Sequence, residues 1–88
     1  MENPIVYKIV FTKKSQKAYQ KLPDTEKPKI ARAIAALSQN PYLSKKLEGE
    51  LKGEYSIRAW PYRIIYSVDS IQQVVSINSI LHRQGAYK

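Results

Sequence analysis

Three runs of alternating apolar and polar residues in the second half of the chain constrain the fold most. They cover residues 55–60, 62–68 and 74–81, and short turns at Pro61 and near Asp69 separate them. A period of two, rich in β-branched and aromatic residues, is typical of strands that bury one face. Because the connections are so short, we expect an antiparallel three-strand meander.

The first half of the chain predicts one strand followed by two helices. Residues 5–11 are β-branched and aromatic, which favours a strand, and Thr12 is a suitable N-cap for a helix that Pro23 ends. Asp24 and Thr25 are the candidate N-caps of a second helix, which tolerates Pro28 near its start. Asn40 and Pro41 should stop that helix. The apolar positions expected to face the core are Ala18, Tyr19 and Leu22 in the first helix and Ile30, Ile34 and Leu37 in the second.

The element order β-α-α-β-β-β predicts an α+β fold. Residues 42–53 lose all periodicity and contain two glycines, which indicates a loop between the second helix and the meander. We therefore expect a single domain over residues 1–88, with the helical hairpin packed on one face of a curved, mainly antiparallel sheet.

Charge and composition narrow the classes of function. The net charge of +8, from 15 basic and 7 acidic residues, favours a polyanion or an acidic protein as partner. Cysteine is absent and histidine occurs once, so we expect no metal site, no thiol chemistry and no small-molecule cofactor. Without a long apolar run or an export signal, we expect a cytoplasmic protein that does not enter membranes.

The arginines concentrate in the last strands, whereas the helices carry lysines. Alternation puts Arg58 and Arg63 on the same face of a hairpin, opposite the apolar set. In the last strand Val75, Ile77 and Leu81 alternate, which leaves the direction of Arg83 open. A lone arginine on a strand is most often a solvated side chain, but three together favour a phosphate site because guanidinium groups bind phosphate in a bidentate manner.

The chain resembles the RelE/ParE superfamily of type II toxins along its whole length. The likeness lies in Leu51-Lys52-Gly53, Tyr55-Ser56-Ile57-Arg58, Tyr62-Arg63-Ile64-Ile65-Tyr66 and His82-Arg83-Gln84-Gly85-Ala86-Tyr87. The resemblance implies a toxin that an antitoxin wraps and silences, through a segment that the basic surface predicts to be acidic. RelE-like members cleave messenger RNA in the ribosomal A site without a metal, by attack of a 2′-hydroxyl on the neighbouring phosphate.

The resemblance also implies roles for individual residues. Arg63 would hold the scissile phosphate, Arg83 would stabilise the developing charge or assist the leaving group, and Tyr87 would stack on the nucleotide. Arg58 stands where relatives carry a basic residue near the 2′-hydroxyl. The candidate RNA-binding residues around this site are Lys45, Lys46, Lys52 and Trp60.

The general base is not defined by the resemblance, because arginine is a poor proton acceptor and Ser56 replaces a residue that is basic in some relatives. We favour His82, with Glu48 and Glu50 as less favoured candidates. Trp60 and Pro61 also depart from the turn that relatives use. Two other functions stay open: a ParE-like inhibitor of DNA gyrase without nuclease chemistry, and an inactive toxin that persists as a partner or corepressor of its antitoxin.

Overall fold

The computed structural model describes residues 6–42, 45–46 and 53–83, and this part of the chain forms two helices and one sheet. The elements are β1 (Lys8–Phe11), α1 (Lys13–Gln20), α2 (Lys27–Gln39), β2 (Lys45–Lys46), β3 (Glu54–Ala59), β4 (Tyr62–Asp69) and β5 (Val74–His82). The strand order is β1-β5-β4-β3-β2, with β1 parallel to β5 and the other pairs antiparallel. The α+β fold and the meander are confirmed, and β2 adds a two-residue edge strand within the expected loop.

The caps of the two helices agree only in part with the prediction. Thr12 is the N-cap of α1, and its hydroxyl oxygen accepts a hydrogen bond from the Ser15 amide at 3.1 Å. For α2 the expected caps, Asp24 and Thr25, are wrong. A turn that begins at Pro23 delays the helix, so Glu26 takes the N-cap position without a side-chain capping bond.

The core lies between the helical hairpin and one face of the sheet. The predicted stripe of α2, Ile30, Ile34 and Leu37, is buried, and α1 contributes partly buried side chains next to it. Burying each such aliphatic side chain stabilises the fold by roughly 1.5–3 kcal/mol. The strand residues on the other side of this core are Ala59, Ile64, Tyr66, Val75, Ile77 and Ile80. In the described part of the chain, no helix is long and apolar enough to cross a membrane.

A β-bulge in β5 changes the face on which its last residues lie. Ile65 pairs with Ser79 and Tyr66 pairs with Ile77, so Asn78 is left over between them. After the bulge, the side chain of β5 that faces the core is therefore Ile80, which is only 8% exposed, and not Leu81. The expected alternation of Val75, Ile77 and Leu81 is wrong at its last member because the extra residue shifts the phase by one.

Candidate nucleic-acid interface

Two arginines face each other across the β3–β4 hairpin. Arg58 pairs directly with Arg63 in the antiparallel register, as the alternation of the two strands predicts. Arg58 is exposed and Arg63 is half-buried. Like charges directly opposite each other on one face of a sheet are unfavourable, and an anion bound near them would offset part of this cost.

Arg83 joins this end of the sheet through the turn between β3 and β4. Arg63 pairs with Leu81, and Arg83 lies two residues farther along, directly after the end of β5 at His82. Its amide donates a hydrogen bond to the Pro61 carbonyl at 2.8 Å, and its guanidinium lies 4.9 Å from the centre of the Trp60 ring. These two contacts with the turn, and not strand alternation, define where Arg83 lies. We call Arg58, Arg63 and Arg83 the arginine cluster.

The side chain of Trp60 is 60% exposed, although the Arg83 guanidinium lies over its ring. A guanidinium that contacts an aromatic ring with its flat face still has its N–H groups at the edge. Arg83 can therefore contact Trp60 and bind a phosphate at the same time. The arrangement offers two features that a single-stranded RNA requires, cationic groups for the backbone and an exposed aromatic ring for a base.

His82 is not brought to the same face as the arginine cluster. It pairs with Tyr62, and the two rings pack edge to face with their centres 5.2 Å apart. Tyr62 belongs to the core side of β4, so the register directs His82 away from Arg63, although its side chain is exposed at the end of the strand.

The remaining predicted site residues are described only in part or not at all. Lys45 and Lys46 form β2, whose backbone pairs with Ser56 and Tyr55 at the sheet edge. Lys52, Glu48, Glu50 and Tyr87 lie outside the described residues.

A lysine that sequence reasoning missed contacts the Trp60 turn from the helical layer. Lys29 of α2 donates to the Trp60 carbonyl at 2.9 Å and to Glu26 at 3.1 Å. Nothing in the local pattern of α2 distinguishes this residue from the other helix lysines, because its partner lies 31 residues farther along the chain.

An apolar groove of about 620 Å³ lies between the two helices and β1. Its walls include Phe11 of β1, Tyr19 of α1, and Ala31 and Ala35 of α2. Within the described ranges, no group of three or more histidine, aspartate or glutamate residues is placed to hold a metal ion.

Comparison with known proteins identifies the family. The family model of the ParE toxin of type II toxin–antitoxin systems matches residues 9–87, which is nearly the entire chain. The chain belongs to this family. It is therefore a toxin of the RelE/ParE superfamily, as the sequence motifs predict.

The toxins most similar to this ParE-family chain include two from Mycobacterium tuberculosis. Toxin RelE and Toxin RelG are each 32% identical to it over 93% of the chain, covering 87% and 97% of their own lengths. Among solved structures, the toxin–antitoxin complex RelBE2 from the same organism contains a chain with a TM-score of 0.83 and 31% identity, covering 90% of this chain and all of that one. These relatives confirm the two-helix, mixed-sheet architecture of the family member described here.

Proposed function

We propose that this toxin is a ribosome-dependent endoribonuclease that cleaves messenger RNA in the A site. In the reaction the 2′-oxygen of a ribose forms a bond to the adjacent phosphorus, and the bond from phosphorus to the 5′-oxygen breaks. The products are a 2′,3′-cyclic phosphate and a 5′-hydroxyl end. The proton of the 2′-hydroxyl leaves to a base, and the departing 5′-oxygen gains a proton from an acid.

The observation that carries the proposal is the direct pairing of Arg58 with Arg63. Two guanidinium groups on neighbouring strands would bind a phosphate, since each presents several N–H donors in a fixed plane. Negative charge increases on the phosphate oxygens as the 2′-oxygen attacks, and donors positioned in advance lower the energy of that state. Arg63 would hold the scissile phosphate, and Arg58 would lie near the 2′-hydroxyl.

In the proposed complex Arg83 and Trp60 would extend this site towards the leaving group. The guanidinium on the indole ring supports a role for Arg83 in stabilising charge on the departing 5′-oxygen. The exposed Trp60 ring would receive an unpaired base. Tyr87 would stack on or orient the nucleotide, and Lys45, Lys46 and Lys52 would bind phosphates outside the scissile position.

Proton transfer is assigned to His82, because histidine is the side chain that titrates closest to neutral pH. His82 pairs with Tyr62, on the face opposite Arg63. Its ring would therefore reach the 2′-hydroxyl only if the RNA passes around the end of the sheet. Glu48 and Glu50 are the less favoured alternatives. No metal takes part in the proposed reaction.

The proposed partners are the ribosome with its messenger RNA and a cognate antitoxin, all in the cytoplasm. The net charge of +8 favours ribosomal RNA through phosphate contacts. The same charge favours an antitoxin with an acidic segment, which would associate quickly and cover the arginine cluster. Complexes of relatives, such as RelBE2 of Mycobacterium tuberculosis, support an antitoxin partner, and the apolar groove would take an apolar element of it.

One experiment tests the proposal against its main alternative. The toxin is induced under tight control, messenger 5′ ends are mapped on translating ribosomes, and DNA gyrase supercoiling is assayed in parallel. Codon-phased cuts that leave 5′-hydroxyl ends support the nuclease. Cleavage of free RNA with no dependence on the ribosome, or no cleavage, contradicts it.

The alternative is a ParE-like inhibitor of DNA gyrase without nuclease chemistry. The match to the ParE toxin model favours it, whereas the relatives named RelE and RelG and the arginine cluster favour the nuclease. Trapped cleavage complexes of gyrase with DNA would support the ParE-like function. Silence in both assays would favour an inactive toxin that acts only with its antitoxin.

A further inference from the structure

The side chain of Lys29 joins the helical layer to the turn between β3 and β4. Its ammonium group donates to the main-chain carbonyl of Trp60 at 2.9 Å, across 31 residues of sequence. The side chain is 41% exposed, so this contact lies at the edge of the helix–sheet interface and not in the core. A solvated lysine would rotate freely at such a position, but here its terminal nitrogen has two defined acceptors.

Glu26 is the second acceptor, and it explains why the ammonium group is held in place. This glutamate is the N-cap residue of α2, yet its side chain makes no capping hydrogen bond. Its carboxylate instead accepts from Lys29 at 3.1 Å. The carboxylate lies near the positive end of the helix dipole, a favourable place for a negative charge. It neutralises the lysine and directs it towards the turn.

The turn that Lys29 holds also carries two contacts to Arg83. The Pro61 carbonyl accepts from the Arg83 amide at 2.8 Å, and the Trp60 ring lies under the Arg83 guanidinium. Lys29, Trp60 and Arg83 therefore form a continuous path from α2 to the arginine cluster. A movement of the turn would displace both the backbone and the side chain of Arg83.

We propose that Lys29 is a positioning residue of the arginine cluster. Lys29 holds the Trp60–Pro61 turn, the turn holds Arg83, and Arg83 binds the RNA phosphate. The proposal deepens the proposed function and rests on it. Lys29 does not touch the RNA in this arrangement. Its contribution is to limit the orientations of the turn, so that Arg83 meets the phosphate without first being ordered.

The test compares Lys29→Met with Lys29→Arg and with a matched control, Lys27→Met. Lys27 lies on the same helix, and in the described part of the chain its ammonium group forms one ion pair, a 3.5 Å contact with Asp24, whose side chain is 98% exposed. Trp60 is the one tryptophan of the chain, so its fluorescence reports on the turn directly. The measurements are acrylamide quenching of Trp60, affinity for a short 2′-O-methyl oligoribonucleotide that keeps its phosphates but cannot cyclise, and single-turnover cleavage on ribosomes.

We expect Lys29→Met to increase quenching of Trp60 and to weaken oligonucleotide binding about threefold to tenfold, the range that loss of one hydrogen bond represents. Cleavage should fall by at least the same factor. Lys29→Arg should restore all three because its N–H groups can reach the same two acceptors, and Lys27→Met should behave as the unchanged toxin. Glu26→Gln, which leaves the ammonium group in place but removes its charge partner, should give a smaller change in the same direction.

Three outcomes would overturn the proposal: unchanged quenching in Lys29→Met, changed quenching with unchanged RNA affinity, or an equal effect of Lys27→Met. Failure of the nuclease function gives a different result. In that case the unchanged toxin does not cleave messenger RNA, while the effects of Lys29→Met on Trp60 quenching and oligonucleotide affinity persist and still support the positioning role.

Discussion

Asn78 of β5 donates its side-chain amide to Glu54 of β3 at 2.7 Å, across the intervening strand β4. The same nitrogen donates to Ser67 of β4 at 2.7 Å, and the Asn78 side-chain oxygen accepts from Ser76 at 3.1 Å. On the main-chain side, the Thr12 hydroxyl lies 3.2 Å from the Asn78 carbonyl. Asn78, the extra residue of the β5 bulge, thus forms hydrogen bonds with residues of three strands and with the N-cap residue of α1.

Replacement of Asn78 should therefore destabilise the sheet and disturb the arginine cluster together. We expect Asn78→Ala to lower the free energy of unfolding by roughly 1–3 kcal/mol, since a hydrogen bond to a charged group is lost and half-buried hydroxyls lose a partner. Urea unfolding measures the first effect and Trp60 fluorescence the second. Gln72→Ala, at an exposed position of the β4–β5 turn, is the control and should change neither. A variant Asn78→Ala with unchanged stability and unchanged fluorescence would show that the amide network does not stabilise the bulge.

A phosphate site at Arg58 and Arg63 should make the stability of the toxin depend on anions. Sulfate or phosphate should raise the melting temperature of the unchanged toxin, because an anion that binds the folded state stabilises it, and should do so less for Arg63→Gln. Chloride at matched ionic strength controls for screening. Equal sulfate effects on both proteins would contradict an anion site at this pair.

The arginine cluster should be required for toxicity but not for recognition of the antitoxin. Arg63→Ala and Arg83→Ala should each reduce cleavage on ribosomes by roughly 100-fold or more, the loss typical of one charge-stabilising donor. Antitoxin binding should largely persist, since the proposed docking in the apolar groove does not involve these arginines. Arg32→Ala, an exposed arginine of α2, is the matched control and should retain cleavage. Full cleavage by both variants of the cluster would refute the site.

The assignment of proton transfer to His82 has its own test. His82→Asn should slow single-turnover cleavage about 100-fold or more, the usual contribution of general acid–base catalysis, with unchanged affinity for the 2′-O-methyl oligoribonucleotide. Tyr62→Phe, which keeps the ring that His82 packs against, is the control. If His82→Asn cleaves at the normal rate, His82 is not the base. The side chain then stays on the Tyr62 side during the reaction, and another group accepts the proton.

The apolar groove offers a prediction about the antitoxin. Ala35 is exposed and lines the groove, so Ala35→Glu should place a charge and added volume where an apolar element would dock. We expect antitoxin affinity to fall by at least tenfold, with little change in cleavage. Ala36→Glu, exposed on the same helix but outside the groove lining, adds the same charge and should bind normally. Equal affinities would mean that the antitoxin does not use the groove.

The fold was predictable from the chain because its elements follow local rules. Period-two alternation assigned the faces of β3 and β4 correctly, and with them the meeting of Arg58 and Arg63. The bulge was not predictable, because what stabilises it is an amide that reaches Glu54, 24 residues away. The position of Arg83 was not predictable either, because it depends on contacts with Trp60 and Pro61, more than 20 residues earlier. Lys29 was missed for the same reason, since its partner is a main-chain carbonyl, which no side-chain pattern reveals.

The position of β5 in the sheet bears on how the toxin is made. β5 follows every other described element in the chain, yet it lies between β1 and β4, and its partner β1 is the first. During synthesis, β1 and the helical hairpin leave the ribosome with no neighbour for the β1 edge, and the β3–β4 hairpin lacks its third strand. Such long-range pairing slows folding. The sheet of the nascent toxin therefore cannot be completed until β5 emerges, and Arg58 and Arg63 are made well before the strand that precedes Arg83 is in place.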